Sequence, residues 1–322
     1  MSDPARLHPA AGSLRPGRLL LATEHTAQDR GAERLAFALA REQAQPLMAV
    51  MPLASNPEYE TVAPQVAAHA EADLAARRDA LRADAAAAGA AVHLCVRRGS
   101  DPDAEIVAEA RDRAAELLVI RRRGKRGLLA NLLVGEMVSK VLAHAPCSVL
   151  VVPVEGQPWQ RGVLACIDHE AVDAEVVRWA VRAAAPRSLP LHLVCVVARD
   201  SERASAEAAL AVACRTAEAA SAGTGVRIAA AVRVGPVHGR IGLATSELDA
   251  DLIVMGRHGG HLLGRAWIGG VTQKVIGTAP CPVLVAVPAP DSAAMSSSSP
   301  VAAPAQAAPD PAPALPPSNT RR

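Results

Sequence analysis

The run His-Ala-Pro-Cys-Ser-Val-Leu-Val-Val at residues 144–152 returns as Thr-Ala-Pro-Cys-Pro-Val-Leu-Val-Ala at residues 278–286. An apolar, strand-like segment followed by a glycine precedes each copy. Self-similarity of this kind is the signature of a duplicated unit. Two copies of one domain also suit a chain of 322 residues, since a single domain usually has about 150 residues.

Each half of the chain alternates short apolar segments with longer segments of helical periodicity. Continuous apolar strands joined by helices indicate a parallel sheet that is covered on both faces. The sequence therefore predicts the α/β class, with two doubly wound, five-stranded parallel-sheet domains. The predicted strands lie at residues 18–23, 47–51, 92–96, 117–120 and 148–152, and at residues 163–167, 191–197, 226–234, 252–255 and 282–287.

The expected domain boundaries follow from these patterns. Residues 17–153 and 162–287 form the two domains, and residues 154–161 link them. Residues 288–322 are rich in Pro, Ala and Ser and hold almost no large apolar side chain. Such a segment cannot bury enough surface to offset its ordering entropy. We expect it, and residues 1–16, to be disordered.

Composition argues against several classes of function. The chain has 34 basic and 32 acidic residues, a net charge of +2 and only 2% aromatic residues, whereas nucleic-acid binders usually combine a strongly basic face with stacking aromatics. It lacks both an apolar run long enough for a membrane helix and an export signal. Its six cysteines have no metal-ligand spacing. We expect a cytoplasmic protein without a membrane or specific nucleic-acid partner and without a metal site.

A glycine-rich stretch in the second half carries the candidate chemistry. It follows the predicted fourth strand at Gly256 and opens the last helix at about Gly270. Glycines let the backbone approach a ligand closely, and a helix N-terminus offers free N–H groups that suit phosphate. The stretch lies where open parallel sheets place ligands. On its own, such a turn fits either an anion site or merely a tight connection.

Both halves resemble the universal stress protein family, over about residues 18–287. ATP-binding members of that family carry Gly-x2-Gly-x9-Gly-Ser/Thr, and Gly256, Gly259 and Gly269 match this spacing. The resemblance implies the strand order 3-2-1-4-5. It also implies that the second domain binds ATP, either alone or with Mg²⁺, and that Asp168 and Val196 lie on the adenine side of the bound nucleotide. The implied nucleotide-binding residues are Asp168, Val196, Met255, Gly256, His258, Gly259, Gly269, Gly270, Val271 and Thr272.

The second domain departs from the family pattern at one position. Gly270 stands where Ser or Thr is usual, so one hydroxyl contact to phosphate is lost, worth about 1 kcal/mol. The backbone N–H donors remain, and Thr272 offers a hydroxyl nearby. We therefore expect this domain to bind ATP.

The first domain departs much further. Arg121 replaces the first glycine, and ten residues rather than nine separate Gly124 from Gly135. Glu136 replaces the Ser or Thr, and Glu24 replaces the first-strand Asp. A carboxylate where a phosphate would sit opposes binding. We interpret this domain as a degenerate, structural copy.

Two further features bear on activity. The basic run at residues 121–126 could bind an anion or nucleic acid, although a solvated loop or a salt-bridged interface is favoured, since no aromatics are interleaved.

The second domain lacks the phosphate-binding lysine of Walker ATPases, and neither a nucleophile elbow nor paired catalytic carboxylates are found. No catalytic residue is assigned. Arg257, His258 and Arg265 could neutralise phosphates without cleaving them.

Three hypotheses follow. The first is a stress-response protein that senses nucleotide, with ATP in the second domain; the second is a nucleotide-free interaction module; the weakest is a slow ATPase. For assembly, we expect the domains to pair through their fifth strands, residues 148–152 and 282–287, because each would otherwise leave an exposed apolar edge. A homodimer and an unknown regulatory protein remain open as further partners.

Overall fold

The structure, a computed structural model, describes residues 18–55, 64–122, 135–257 and 267–288. All of these residues belong to one compact unit, Met1–Ala289. The two expected disordered segments lie outside the described residues, apart from residue 288, and so do Gly124, His258, Gly259 and Arg265.

Eight helices and ten strands alternate along the described chain. The first half contains β1 (Leu19–Ala22), α1 (Arg30–Glu42), β2 (Leu47–Ala54), α2 (Pro64–Ala87), β3 (Val92–Gly99), α3 (Pro102–Asp112), β4 (Leu117–Arg121), α4 (Glu136–His144) and β5 (Ser148–Val152). The second half contains β6 (Val163–Ile167), α5 (Ala174–Ala184), β7 (Leu191–Val197), α6 (Arg203–Ala220), β8 (Ile228–Val234), α7 (Val237–Glu247), β9 (Leu252–Gly256), α8 (Gly270–Thr278) and β10 (Val283–Ala286).

The strand order confirms the predicted fold class. The order β3-β2-β1-β4-β5-β10-β9-β6-β7-β8 gives each half the arrangement 3-2-1-4-5. All strand pairs within a half are parallel. The carboxyl ends of the five strands in a half therefore meet at one edge of the sheet, where α/β proteins place their ligands.

The fifth strands of the two halves are hydrogen-bonded to each other. β5 and β10 pair antiparallel, with Leu150 opposite Leu284, so the two five-stranded halves form one ten-stranded sheet. Because this pair is antiparallel, the carboxyl ends of the strands face opposite edges in the two halves. The glycine-rich end of β9 and the corresponding end of β4 therefore lie on opposite edges of the sheet.

Apolar side chains on the two faces of the sheet form two core layers, and each layer runs through both halves. Alternate residues of a buried strand point to opposite faces, so Leu19 and Leu21 join one layer whereas Leu20 joins the other. Helices α1, α2, α5 and α6 cover the first layer, and α3, α4, α7 and α8 cover the second. This is the doubly wound arrangement expected from the continuous apolar strands.

The segment between the halves is held at both ends. Arg34 of α1 donates to the carbonyl of Gly156 at 3.0 Å, and the Trp159 indole donates to the carbonyl of Ala183 in α5 at 2.9 Å. Trp159 itself is buried. The linker is thus packed against a helix of each half.

No helix in the described part of the chain is both long enough and apolar enough to cross a membrane.

Candidate functional site

The candidate site in the second half is built around the connection from β9 to α8. β9 ends at Gly256, and α8 begins at Gly270. The backbone N–H of Gly269 donates to the carbonyl of Arg257 at 3.0 Å, which brings the two ends of the connection together. The residues between them, among them His258 and Gly259, lie outside the described ranges.

The N-terminus of α8 is open. Gly269 is the N-cap, and no side chain caps the first turn of the helix. Gly270 is exposed, and a Cβ atom added there would meet nothing within 4 Å. The first N–H groups of a helix have no intrahelical partner, and together with the helix dipole they make this end attractive to an anion.

Thr272 has a structural contact that the sequence did not reveal. Its side chain is buried, and its hydroxyl donates to the carbonyl of Gly256 at 3.0 Å. The contact ties the first turn of α8 to the end of β9, and it uses the hydroxyl proton that we expected to be available for phosphate. Val271, the neighbouring residue, is 38% exposed.

The predicted adenine side lies across the neighbouring strands. β6 lies between β9 and β7, so Met255, near the end of β9, Asp168, just after β6, and Val196, near the end of β7, share one edge of the sheet. Met255 and Val196 are buried in the same core layer. Burial and, to a smaller extent, the carboxylate of Asp168 raise the pKa of the Cys195 thiol to about 11.

Asp173 is a residue of this region that sequence reasoning missed. It is the N-cap of α5, where its carboxylate accepts from the N–H of Glu175 at 2.8 Å. Burial raises the pKa of Asp173. An Asp directly before a helical segment is a recognisable N-cap signal, so the sequence contained the information.

The first half holds a charged network at the corresponding place. Arg121, which stands where the second half has Gly256, is only 4% exposed. Its guanidinium contacts Glu24 at 3.0 Å, Asp29 at 2.8 Å and the hydroxyl of Thr26 at 3.1 Å. Asp29 is the N-cap of α1, the position that Asp173 occupies in α5. The arginine side chain thus fills the region beside the end of the first strand, at a position where the second half has no side chain.

Little space remains in this region of the first half. A cavity of about 10 Å³ is left among Glu24, Arg121 and Met137, which is room for about one water molecule. Glu136, at the start of α4, is exposed and forms an ion pair with Lys140 at 3.2 Å. The helix N-terminus that would face a phosphate therefore carries a carboxylate.

Two arginines cross between the halves in a reciprocal way. Arg122, after β4, donates to the carbonyls of Ile276, at 3.0 Å, and Ala279 at the end of α8. Arg257, after β9, donates to the carbonyls of Leu142 at 3.3 Å, Ala143 at 3.3 Å and Ala145 at 3.4 Å, at the end of α4. Burial lowers the pKa of both guanidinium groups.

These contacts decide between earlier alternatives for the described arginines. Arg121 forms ion pairs within the first half, and Arg122 donates to backbone carbonyls of the second half. The described part of the basic run therefore supplies a buried ion-pair network and an interface contact, and not a salt bridge between the halves. Residues 123–126 lie outside the described ranges. The side chain of Arg257 donates to carbonyls at the end of α4 in the first half. That it neutralises phosphate stays a prediction.

In the described part of the chain, acidic, histidine and cysteine side chains do not converge to form a metal centre. Within the described ranges, no group of three or more of them could hold a metal ion. Burial raises the pKa of the thiols of Cys147, Cys166 and Cys281 to about 12. These thiols stay protonated at neutral pH and behave as small apolar side chains.

Comparison with known proteins adds the family. The model of the universal stress protein family matches residues 16–153 and again residues 161–287. The chain therefore belongs to the universal stress protein family, with two copies of its domain. No curated protein matches the chain.

Two solved structures with TM-scores above 0.5 show the same fold. A universal stress protein from Archaeoglobus fulgidus is 18% identical, with a TM-score of 0.64 over 84% of this chain and 98% of that chain. One from Pseudomonas aeruginosa is 19% identical, with a TM-score of 0.58 over 84% of this chain and 94% of that chain. A further A. fulgidus universal stress protein, solved in complex with dAMP, is 21% identical, with a TM-score of 0.32 over 41% of this chain and all of its own.

Proposed function

We propose that this universal stress protein binds one ATP, in its second half only, and acts as a cytoplasmic stress-response nucleotide sensor rather than as a fast enzyme. In this proposal the adenine lies near Asp168 and Val196. The phosphates lie over Gly256, Gly259 and the start of α8, with Mg²⁺ as their counter-ion. An unidentified regulatory protein distinguishes the ATP-bound form from the ATP-free form.

The observation that carries the proposal is the difference between two equivalent positions. In the second half the end of the fourth strand is Gly256, and the following helix starts at an exposed glycine without a side-chain cap. In the first half the equivalent strand, β4, ends in Arg121, whose guanidinium is paired with Glu24 and Asp29. A guanidinium and a nucleotide cannot occupy the same space, so the two halves favour a stoichiometry of one.

Gly270 offers a matched pair of variants. Since a side chain at this position has open space around it, Gly270→Glu and Gly270→Ser should both fold. Gly270→Glu copies Glu136 of the first half and sets a carboxylate against the phosphates. We expect ATP affinity to fall at least about tenfold, while the acidic residue at a helix start leaves stability unchanged or slightly higher. Gly270→Ser, which restores the usual hydroxyl, should bind as well as the parent or better.

A second pair tests the stoichiometry. Gly259→Val should abolish ATP binding by calorimetry, whereas Gly124→Val in the first half should leave it unchanged, because glycine is needed only where the backbone nears phosphate. Circular dichroism melts report whether each variant folds. A stoichiometry near two, or binding indifferent to Gly259→Val, contradicts the proposal. If the parent binds no adenine nucleotide, the alternative of a nucleotide-free interaction module stands.

A further inference from the structure

The first half contains a groove that the nucleotide proposal does not use. It lies between α1 and α2 and is bordered by Gln157 and Pro158 of the linker. Its volume is about 620 Å³, within the range of sites that hold small molecules. The groove is also at the junction of three elements, a common place for such sites.

Three arginines of α1 line this groove. Arg30, Arg34 and Arg41 stand at positions i, i+4 and i+11, on one face of the helix together with Phe37. Arg34 gives one N–H to Gly156. Across the residues that the structure describes, the side chains of Arg30 and Arg41 make no hydrogen bond or ion pair.

The placement of these charges is unfavourable in an empty groove. Arg30 is the first residue of α1, and the positive end of a helix dipole disfavours a cation there. Arg30 and Arg34 are also like charges one turn apart, which repel each other. The carboxylates of Glu33 and Asp84 also line the groove and offset part of this repulsion. An anion bound between Arg30 and Arg34 reduces both penalties further, and the guanidinium fork matches phosphate oxygens closely.

Glu33 supplies the second, independent feature. Its side chain is 6% exposed and lines the groove. One carboxylate oxygen, Oε1, accepts from the Thr23 hydroxyl at 2.6 Å and contacts Nδ1 of His25 at 3.0 Å. Within the described ranges no hydrogen bond reaches the other oxygen, Oε2, and this atom is not buried away from solvent, while burial raises the pKa of this carboxyl group. Oε2 is therefore an accessible acceptor to which a ligand in the groove can donate.

We infer that this groove binds a small phosphate ester that also carries hydroxyl groups. Its phosphate lies between Arg30 and Arg34, and a hydroxyl donates to Glu33. Phe37, Ala38 and Ala88 supply the apolar lining against which the carbon skeleton packs. The site is separate from the proposed ATP site, since it lies on α1 of the first half.

The test is calorimetry of the full chain with ribose 5-phosphate, which has both recognised groups. We expect it to bind at least about tenfold more tightly than ribose or inorganic phosphate. The variant Arg30→Ala/Arg34→Ala should lose at least about tenfold in affinity. The control Arg215→Ala/Arg227→Ala removes two exposed arginines of the second half and should have no effect.

A third variant separates the two candidate sites. Gly256→Arg, which should remove ATP binding, should leave ribose 5-phosphate binding unchanged. Binding that is absent at about 10 mM ligand, that survives the double alanine variant, or that disappears in Gly256→Arg overturns the inference. Thermal melts of each variant show that a lost affinity is not a lost fold.

Discussion

The two halves of the molecule share one strand order but differ at the end of the fourth strand. In the second half this strand ends at Gly256, and the neighbouring strand β6 is followed by Asp168 and by the helix cap Asp173. In the first half it ends at Arg121, which is ion-paired with Glu24 and with the helix cap Asp29. One half has two carboxylates and a glycine at this end of the sheet, and the other places a cation at the position of the glycine.

The difference teaches how a duplicated domain can lose a ligand and keep its fold. A buried carboxylate without a partner is costly, so, under the proposed function, a half that binds no nucleotide benefits from a permanent cation. Arg121 is only 4% exposed, and its contacts reach residues far away in sequence on the loop after β1. In the first half the side chain of Arg121 thus pairs with the carboxylates at this end of the sheet.

The largest expected effect comes from removing that cation. Arg121→Ala leaves Asp29, which is 1% exposed, without its charged partner, and breaking a buried ion pair in this way costs on the order of 3–5 kcal/mol. Urea unfolding measures the loss. Arg111→Ala, an exposed arginine of α3, should change stability by less than about 0.5 kcal/mol. The ATP stoichiometry of Arg121→Ala should remain one. A loss of stability no larger than that of Arg111→Ala would show that the ion pairs of Arg121 do not stabilise the protein.

The next effect copies the first half into the second. Gly256 lies within a strand and is not among the glycines with positive φ, so an arginine fits its backbone. In Gly256→Arg the guanidinium should meet Asp168 and Asp173, and ATP affinity should fall at least about 100-fold, or about 2.8 kcal/mol. Calorimetry measures the affinity, and the melting temperature should be unchanged or higher. ATP binding at parental strength would break the comparison.

The smallest effect concerns the two helix caps, which Asn can replace as N-cap. Asp29→Asn weakens a charged contact to Arg121 and should destabilise the chain by about 1.5–3 kcal/mol. Asp173→Asn should instead stabilise it at pH 7, because burial raises the pKa of Asp173 and outweighs the opposite effect of Arg178.

The stabilising effect of Asp173→Asn should depend on pH. A carboxyl group with a raised pKa contributes stability below its unfolded pKa of about 3.9, and this contribution is lost as pH rises through its folded pKa. The advantage of Asp173→Asn should therefore be absent in acid and grow toward neutral pH. Thermal melts at several pH values measure it, and a constant difference would contradict the assigned cause.

Much of the fold could be predicted from the sequence, because it depends on local patterns. Apolar runs such as Val163–Ile167 and Leu191–Val197 mark buried strands, and the repeated Ala-Pro-Cys segment marks the duplication. The strand order came from the family resemblance, since periodicity alone does not determine which strands are neighbours.

The side-chain contacts of the site were harder to predict. Thr272 looked available to a ligand, yet its hydroxyl bonds to Gly256, and this bond depends on how α8 packs against β9. The partners of Arg122 and Arg257 are more than a hundred residues away in the chain. No local pattern predicts such contacts. The N-cap role of Asp173, in contrast, was readable and was overlooked.

The exchange of Arg122 and Arg257 has a consequence for how the molecule unfolds. Each half donates a guanidinium to the last carbonyls of a helix in the other half, where a cation also compensates the helix dipole. When one half melts, the other loses this partner, so the free energies of the two halves are not additive. Although the chain is a tandem repeat, it should unfold in a single cooperative transition, and its two halves should not unfold independently.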